Sequence, residues 1–351
     1  MDFVTGHRRV PVPPARIIPL MAEGYLLYAP WHNTAMRKIV TGGAGFIGSN
    51  YLRKYVLEEN ETEFVVVDAL TYAGNLANLS SLMELPNFAF HHGDITDRKF
   101  MQKFIKRGDT LINFAAESHV DRSIDSGYEF VKTNVLGTQV LLDLSINAGD
   151  INFIQISTDE VYGSIDEGSW DENCPLKPNS PYSASKAASD LLCLSYYKTF
   201  GLDLKITRCS NNYGPHQYPE KLIPFFVKRL IAGQKVPIYG TGKNVREWIH
   251  VDDHVEGIKL VEESGKRGEV YNLGSGDHFT NLEIAQLILE LFGYGSEMME
   301  YVSDRKGHDL RYSLNTSKAQ VELGFKSKVN FTEGILETIN WYRQNPLALS
   351  E

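Results

Sequence analysis

A glycine-rich turn between a predicted strand and a predicted helix constrains the fold of this 351-residue chain more than any other feature. Residues 38–40 form a short apolar strand, a Gly-Gly-Ala-Gly-Phe-Ile-Gly turn follows, and residues 49–57 have helical spacing. Gly42 permits a tight turn, Gly45 lets the backbone approach a pyrophosphate, and Gly48 allows the helix to pack closely on the strand. This pattern predicts the opening of a parallel, nucleotide-binding sheet.

Four further apolar segments end in polar or small residues. They are residues 64–67 before Asp68, residues 88–91 before Asp94, residues 110–114 before Ala115 and Ala116, and residues 152–157 before Thr158, Asp159 and Glu160. In open parallel sheets, ligands bind along the edge formed by the carboxyl ends of the strands, so these residues are expected to line one crevice. The predicted fold class is α/β, with a Rossmann-type doubly wound parallel sheet and a smaller C-terminal α/β lobe that binds substrate.

The predicted domain boundaries follow changes in this pattern. Residues 36–210 are predicted to form the dinucleotide-binding domain, with an interleaved return around residues 245–277, and residues 211–351 mainly the second lobe. Residues 1–35 carry several prolines and no continuous apolar core of a signal peptide. We therefore interpret them as an N-terminal extension, from a misassigned start or an artificial addition, and Met36 as the working start.

Composition excludes several classes of partner. The net charge is -9, with lysine and arginine scattered along the chain, which argues against nucleic acid or an anionic membrane as the main partner. No apolar run reaches the roughly 18 residues that span a bilayer.

Cys174, Cys193 and Cys209 show no metal-ligand or disulfide spacing, so a cytoplasmic location is expected. His250 and His254 lack a third ligand at a recognisable spacing, so no metal site is predicted.

Asp68 indicates which dinucleotide the turn would bind. It closes the strand that follows the glycine turn, about 20 residues further along the chain. A carboxylate at this position accepts hydrogen bonds from a ribose diol and repels a 2'-phosphate, so NAD is favoured over NADP. The alternative interpretation is a strand-ending aspartate that only caps a turn.

Tyr182 and Lys186 are the candidate acid/base pair. On a helix, residues four apart share a face, so the Lys186 ammonium is expected to lie beside the Tyr182 phenol and to stabilise a phenolate near neutral pH. Such a pair alone also fits an exposed helix surface. The helix follows the predicted strand that ends at Ser157 and Thr158, and that order favours a catalytic interpretation.

This order of serine or threonine, tyrosine and lysine resembles the extended branch of the short-chain dehydrogenase/reductase superfamily, from Met36 to the C-terminus. The Thr158-Asp159-Glu160-Val161-Tyr162-Gly163 motif resembles, more narrowly, the dTDP-glucose 4,6-dehydratase family, because most extended-family epimerases lack the two carboxylates. Further stretches similar to that family are residues 68–75, 115–121, 211–215, 244–248 and 304–309.

The resemblance implies a reaction in three steps. The sugar is oxidised at C4, water is eliminated across C5 and C6, and the hydride returns to C6, giving dTDP-4-keto-6-deoxy-glucose. By analogy, Glu160 is the base at C5 and Asp159 the acid at C6. Thr158 then hydrogen-bonds the C4 oxygen beside Tyr182, and Lys186 holds the nicotinamide ribose. A base and an acid are needed together, so the two carboxyl groups must differ in protonation.

The resemblance also implies two sets of binding residues. The cofactor set is Gly42, Gly45, Phe46, Ile47, Gly48, Asp68, Ala69, Leu70, Thr71, Asp94, Ile95, Ala115, Ala116, Ser118, Thr133, Tyr182, Lys186 and Asn212. The substrate set is Ser118, Thr158, Asn211, Lys221, Leu222, Pro237, Ile238, Tyr239, Arg246, Asn281, Asp304, Arg305, Lys306, Gly307 and His308. Lys306 departs from the family pattern, which has proline at that position.

Two other functions remain open from the sequence. One is an epimerase or dehydratase that acts on another nucleotide-sugar, such as UDP- or CDP-glucose. The other is a non-catalytic, NAD-sensing regulator, although such proteins typically lose the tyrosine or the lysine. The family resemblance further implies a homodimer formed by helices over residues 130–148 and 183–200.

Overall fold

A twisted parallel sheet forms the centre of the computed structural model, which describes residues 36–304 and 309–349. The predicted extension, residues 1–35, lies outside the described residues. The strands within the described residues are β1 Arg37–Thr41, β2 Glu63–Asp68, β3 Phe88–His92, β4 Thr110–Asn113, β5 Asn152–Thr158, β6 Asp203–Cys209, β7 Asn211–Tyr213, β8 Val236–Tyr239, β9 Val245–His250, β10 Val270–Leu273, β11 His278–Thr280 and β12 Met299–Val302.

The main sheet has seven parallel strands in the order β3-β2-β1-β4-β5-β6-β10. The chain runs outward in one direction from β1 to β3 and then in the other direction from β4. Strand order therefore reverses between β1 and β4, and a crevice opens at the carboxyl ends of the strands beside such a reversal. The predicted Rossmann-type α/β fold is confirmed.

Helices flank the main sheet and the smaller sheets of the second half of the chain. They are α1 Phe46–Glu58, α2 Arg98–Met101, α3 Val120–Asp125, α4 Tyr128–Phe130, α5 Thr138–Ala148, α6 Pro181–Phe200, α7 Leu222–Ile231, α8 Val251–Ser264, α9 Asn281–Phe292, α10 Ser317–Leu323 and α11 Phe331–Gln344. Residues Val131–Gly137, between α4 and α5, have the wider π-helical spacing, so the predicted helix over 130–148 is not a regular α-helix. Within the described residues, no helix is long and apolar enough to cross a membrane.

Alternate residues of the central strands bury their side chains in two different hydrophobic clusters. Val65 and Val67 of β2 pack in the cluster that contains Leu141 of α5, whereas Val66 packs with Leu52 of α1. Since both faces of a parallel sheet are covered, such strands are apolar along their whole length. That continuous apolar character is why the sequence indicated the main strands clearly.

The second half of the chain forms smaller sheets that the sequence did not indicate. Strands β7, β9 and β11 form one sheet, and β8 pairs with β12. Helices α7, α9 and α11 pack on them in a third apolar cluster. The sequence predicted a smaller α/β lobe in this region but not the bounds of these strands, because they are short and polar residues interrupt them. Strand β10 joins the main sheet beside β6, and the boundary at residue 210 stays a prediction.

Candidate active site

A cavity of about 330 Å³ opens at the carboxyl edge of the main sheet. The ends of β1, β2, β4, β5 and β6 line it, together with the start of α6. It lies beside the strand-order reversal between β1 and β4, where ligands bind in sheets of this kind.

The glycine turn forms one wall of the cavity, and its backbone geometry requires glycine. Gly42 has a φ of +70°, and a Cβ at this residue would lie 2.5 Å from the backbone nitrogen of Ala115. A Cβ at Gly48 would lie 2.5 Å from the carbonyl oxygen of Gly42. At Gly45, directly before α1, the nearest atom would be 3.3 Å away. The turn therefore brings bare backbone and a helix N-terminus to the cavity, an arrangement that fits a dinucleotide pyrophosphate.

Asp68 ends β2 at the same wall. Its carboxylate accepts hydrogen bonds from the backbone N–H of Ala44 at 2.8 Å and of Leu70 at 2.7 Å. Burial raises the pKa of this carboxyl group, and the two backbone donors oppose that shift. A carboxylate can accept about four hydrogen bonds, so capacity remains for a ribose diol. The residues present fit the predicted dinucleotide.

Helix α6 begins at the cavity with a capping box. The Ser180 hydroxyl accepts a hydrogen bond from the backbone N–H of Ser183 at 3.1 Å, and the Ser183 hydroxyl accepts one from the backbone N–H of Ser180. Two unpaired backbone donors at the helix start are satisfied in this way. Tyr182 therefore lies in the first turn, and Lys186 follows one turn later on the same face.

Thr158 connects the candidate catalytic groups. Its hydroxyl donates to the Asp159 carboxylate at 3.2 Å and accepts from the backbone N–H of Glu160 at 3.3 Å, and the Tyr182 phenol lines the same cavity. The turn Asp159–Tyr162 follows β5 directly, so the strand end holds the carboxyl groups next to the phenol. The structure thus brings all five predicted catalytic residues to the lining of one cavity.

Two effects in the structure oppose the predicted formation of a Tyr182 phenolate near neutral pH. Burial and the nearby Glu160 raise the pKa of the phenol well above its usual value. The Lys186 ammonium donates a hydrogen bond to the carbonyl oxygen of Ile156 at 2.6 Å, and burial lowers the pKa of Lys186. Spacing on a helix predicted that the two side chains share a face, but it could not predict how far both groups are withdrawn from water.

Asp159 is suited to the role of an acid. It is 2 % exposed, and its Oδ2 has no hydrogen-bond partner among the described residues. Burial, followed by the negative charges of Glu160 and Glu247, raises the pKa of this carboxyl group well above its usual value. Desolvation and like charges both disfavour the ionised form, so this environment favours the protonated carboxyl group.

Asp159→Asn is expected to raise the free energy of unfolding near neutral pH. The folded-state pKa of Asp159 lies above the unfolded value, so its stabilising contribution is complete below about pH 3.9 and is lost as the pH rises through the raised pKa. An amide does not ionise, so the variant avoids this loss, which is about 1.4 kcal/mol for each unit of pKa shift. Urea unfolding of both proteins from about pH 4 to about pH 8 measures the difference in their free energies of unfolding. A difference from wild type that does not grow with pH would contradict the raised pKa.

Comparisons with known proteins agree with this geometry. Residues 39–338 match the sequence profile of the family described as GDP-mannose 4,6 dehydratase. A dTDP-glucose 4,6-dehydratase from Streptomyces niveus is 52% identical over 314 residues, which cover 88% of this chain and 94% of that protein. The chain belongs to the dTDP-glucose 4,6-dehydratase family.

Solved structures extend the comparison. The dTDP-glucose 4,6-dehydratase of Streptomyces venezuelae, solved with NAD and the ligand TYD bound, has a TM-score of 0.87 and 50% identity, covering 90% of this chain and 99% of that one. A UDP-glucose 4-epimerase from Thermotoga maritima has a TM-score of 0.81 and 32% identity, covering 89% of this chain and 100% of that one. The dehydratases of this family are therefore more similar to the chain than that epimerase is.

Most of the site residues expected of a dTDP-glucose 4,6-dehydratase line the cavity. They are Gly42, Gly45, Phe46, Ile47, Gly48, Asp68, Ala69, Thr71, Asp94, Ile95, Ala115, Ala116, Ser118, Thr133, Thr158, Asp159, Glu160, Tyr182, Lys186, Asn211, Asn212 and Lys221. Leu70 is outside the cavity lining, and its backbone N–H donates to Asp68. The individual roles of these residues stay predictions.

Other predicted substrate residues lie outside the cavity lining. They are Leu222, Pro237, Ile238, Tyr239, Arg246, Asn281 and Asp304. Ile238 is buried in the apolar cluster of the second half, so its side chain serves packing there, whereas Tyr239 is 44% exposed. Arg305, Lys306, Gly307 and His308 lie outside the described residues.

The cavity also contains polar residues that the sequence did not single out. They are Tyr72, Glu117, Glu129, Lys132, Gln217, Tyr218 and Glu220. Tyr72 and Glu117 lie within stretches that resemble the dTDP-glucose 4,6-dehydratase family, and that position was the available signal. Asn134 fixes Glu117, because its side chain bonds both the backbone N–H and the carbonyl of that residue.

Proposed function

We propose that this chain is an NAD-dependent dTDP-glucose 4,6-dehydratase, which converts dTDP-glucose to dTDP-4-keto-6-deoxy-glucose and water. The observation that carries this proposal is that Thr158, Asp159, Glu160 and Tyr182 line one cavity with the glycine turn, where the Thr158 hydroxyl bonds both the Asp159 carboxylate and the backbone N–H of Glu160. A phenol suits oxidation at C4, and a carboxyl pair suits elimination across C5 and C6.

The oxidation at C4 uses groups at the start of α6. The Tyr182 phenolate takes the proton of the C4 hydroxyl group, and Thr158 donates a hydrogen bond to the same oxygen. Lys186 binds the nicotinamide ribose and supplies positive charge beside the phenolate. NAD, when bound, accepts the hydride from C4 and returns it to C6, and its cationic ring favours the phenolate.

The elimination uses the turn after β5. A ketone at C4 acidifies the C5 proton, which the Glu160 carboxylate removes. Asp159, held protonated by burial and by Glu160, donates its proton to the C6 hydroxyl group as water leaves. The two neighbouring carboxyl groups therefore begin the step in opposite protonation states. As hydride adds to C6, C5 takes up a proton from Glu160, which exchanges with solvent, and the proton that Tyr182 took from the C4 hydroxyl group offsets the one that Asp159 gave to the departing water.

Cationic residues near the cavity are proposed to bind the diphosphate. Lys221 lies in the cavity lining, where its Nζ donates to the Ser118 carbonyl oxygen at 2.9 Å. Arg246 is 5% exposed, and its guanidinium lies 4.5 Å from the centre of the Tyr312 ring. Its Nη1 and Nη2 donate to the carbonyl oxygens of Val245 and Asp309, and the remaining N–H groups of the guanidinium would bind the diphosphate.

Mass analysis of the product formed from dTDP-glucose in deuterated water tests the function. The proposal requires deuterium at C5 and retention of the substrate's C4 hydrogen at C6, because C5 exchanges with solvent and the hydride does not.

Turnover of UDP- and CDP-glucose under the same conditions tests the base preference, and equal rates would contradict the assignment of dTDP. A C4 epimer as product would identify an epimerase. NAD binding without turnover of any nucleotide-sugar would identify a regulator.

Asp68→Asn is expected to reduce the preference for NAD over NADP. The carboxylate repels a 2'-phosphate, and an amide of the same size removes that repulsion while its oxygen still accepts one backbone hydrogen bond. The dissociation constants of apoenzyme for NAD and NADP, measured by calorimetry, give the preference directly. Glu129→Gln, which changes an acidic residue of the cavity lining outside the predicted cofactor set, serves as a control and should leave the ratio of the two constants unchanged. An unchanged ratio in Asp68→Asn would remove that residue from cofactor selection.

The proposed working state is a cytoplasmic homodimer that supplies deoxysugars. Large apolar side chains are exposed on α4, α6 and the π-helical segment, including Tyr128 at 71%, Val131 at 57% and Leu191 at 57%. Exposed apolar area of this kind on neighbouring helices supports a contact with a second copy. Sedimentation velocity measures the state, and a monomer at micromolar concentration would contradict it.

A further inference from the structure

Arg208, on β6, is a buried cation outside the cavity lining. It is 2% exposed, and its Nε donates to the Asp190 carboxylate at 2.9 Å. A second nitrogen, Nη1, donates to the Tyr162 hydroxyl at 2.8 Å. The Tyr162 hydroxyl in turn donates to the side-chain oxygen of Asn272 on β10, at 2.9 Å. The guanidinium thus holds two groups that belong to different elements.

These two groups belong to the two catalytic segments. Asp190 lies on α6, one turn after Lys186, and is fully buried. Tyr162 ends the turn that begins at Asp159, and it is also fully buried. The intervening loop, residues 163–180, is the only covalent connection between α6 and this turn. Arg208 therefore links the helix used for oxidation to the turn used for elimination.

The chemistry of the link favours a fixed geometry. A guanidinium is planar and presents its N–H groups in fixed directions, so two bonds to different partners define its orientation and theirs. Removal of one partner of a buried ion pair leaves an uncompensated charge, so the pair resists separation. The register of the main sheet fixes Arg208 itself, because it pairs with Ser157 on β5 and with Asn272 on β10.

Asp190 also acts on Lys186 electrostatically. Burial lowers the pKa of the Lys186 ammonium, and the negative charge of Asp190 opposes this shift. Lys186 must be charged to stabilise the Tyr182 phenolate. Loss of the bond to Asp190 should therefore affect oxidation, and loss of the bond to Tyr162 should affect elimination.

We propose that Arg208 is a positioning residue. Through Asp190 it holds the Tyr182–Lys186 pair at C4 of the hexose, and through Tyr162 it holds the Asp159–Glu160 pair at C5 and C6 of the same hexose. This inference rests on the proposed function. A displacement of about 1 Å at reacting atoms costs about 100-fold in rate, so a link of this kind matters even without contact with the substrate.

Two nearly isosteric variants test the two ends of the link separately. Tyr162→Phe frees the turn that carries the carboxyl groups, so elimination should slow while oxidation persists. Asp190→Asn removes the charge beside Lys186, so oxidation should slow. Each variant should lower kcat by about 10-fold to about 100-fold with KM for dTDP-glucose little changed. The steady-state absorbance of bound reduced nicotinamide should rise in Tyr162→Phe and fall in Asp190→Asn.

A pH profile gives a further readout for Asp190→Asn. Without the carboxylate, less charge opposes the lowering of the Lys186 pKa by burial, so Lys186 loses its proton at lower pH. The alkaline limb of kcat should therefore move to lower pH in this variant, and it should not move in Tyr162→Phe. A role limited to folding would not move this limb.

Matched controls remove the same groups elsewhere. Tyr271→Phe removes a fully buried hydroxyl that bonds Lys266 and Glu322, and Asp109→Asn changes a buried carboxylate paired with Arg37 at 2.6 Å. Both should leave kcat and the amount of bound reduced nicotinamide unchanged. The free energy of unfolding of all four variants shows whether the decreases in kcat correlate with decreases in stability.

Equal changes of reduced nicotinamide in Tyr162→Phe and Asp190→Asn, or activity losses that only follow stability, would overturn the positioning role. Failure of the wild type to form a 4-keto product would instead overturn the proposed function.

Discussion

Tyr182→Phe is expected to lower kcat for dTDP-glucose by about 100-fold or more, as found when a positioned acid/base group is removed. The variant loses the hydroxyl that takes the C4 proton, whereas its ring can keep the contact with Phe130, whose centre lies 6.3 Å away. The structure around Lys186 is unchanged, so NAD should remain bound. Stopped-flow absorbance of bound reduced nicotinamide, after mixing with substrate, should show that oxidation itself is slow.

Tyr196→Phe is a suitable control, because Tyr196 lies on the same helix and its hydroxyl bonds Asp143 outside the cavity. That variant should keep the wild-type rate. A wild-type rate in Tyr182→Phe would remove the phenol from the mechanism. Loss of bound NAD from that variant would instead indicate that the hydroxyl serves cofactor binding.

Glu160→Gln is expected to lower kcat by a similar factor, about 100-fold or more, but at a different step. The amide cannot accept the C5 proton, while Tyr182 and Thr158 remain available for oxidation at C4. Bound reduced nicotinamide should therefore accumulate, and substrate recovered from deuterated water should carry no deuterium at C5. Mass analysis of the recovered sugar measures that exchange independently of product formation.

Glu167→Gln provides the matched control for this variant, since Glu167 is exposed on the loop that follows the same turn. It should exchange C5 and form product as the wild type does. Persistent deuterium at C5 in Glu160→Gln would show that another group is the base. The opposite nicotinamide signals of Tyr182→Phe and Glu160→Gln together separate the two steps of the reaction.

The main sheet and its ligand edge could be predicted because they follow from local signals. The strands of a sheet covered on both faces are apolar throughout, and the glycine turn has one structural use in that setting. Asp68, Thr158 and the glycine turn consequently lie at one cavity, as their positions at strand ends predicted. The smaller lobe was predicted as α/β, but its individual strands could not be located, since strands of three to six residues with alternating polar positions have little local signal.

Electrostatic properties of the site depend on contacts distant in sequence. Sequence spacing placed Lys186 on the same face as Tyr182, but burial of both groups, and the bond from Lys186 to Ile156, arise only when α6 packs on β5. Arg208 carried no motif of its own. Its proposed role depends on contacts among β6, α6 and the turn Asp159–Tyr162, which are distant in sequence, so no local sequence pattern could predict it.

The return of β10 to the main sheet has a consequence for synthesis of the chain. When the ribosome has released β6, the outer edge of that strand has no neighbour until Val270–Leu273 emerges. An uncovered strand edge can pair with other chains, so the nascent enzyme is open to aggregation during this interval. A fragment that ends near residue 210 would keep this edge permanently, and chaperone binding to stalled nascent chains should be strongest between these two strands.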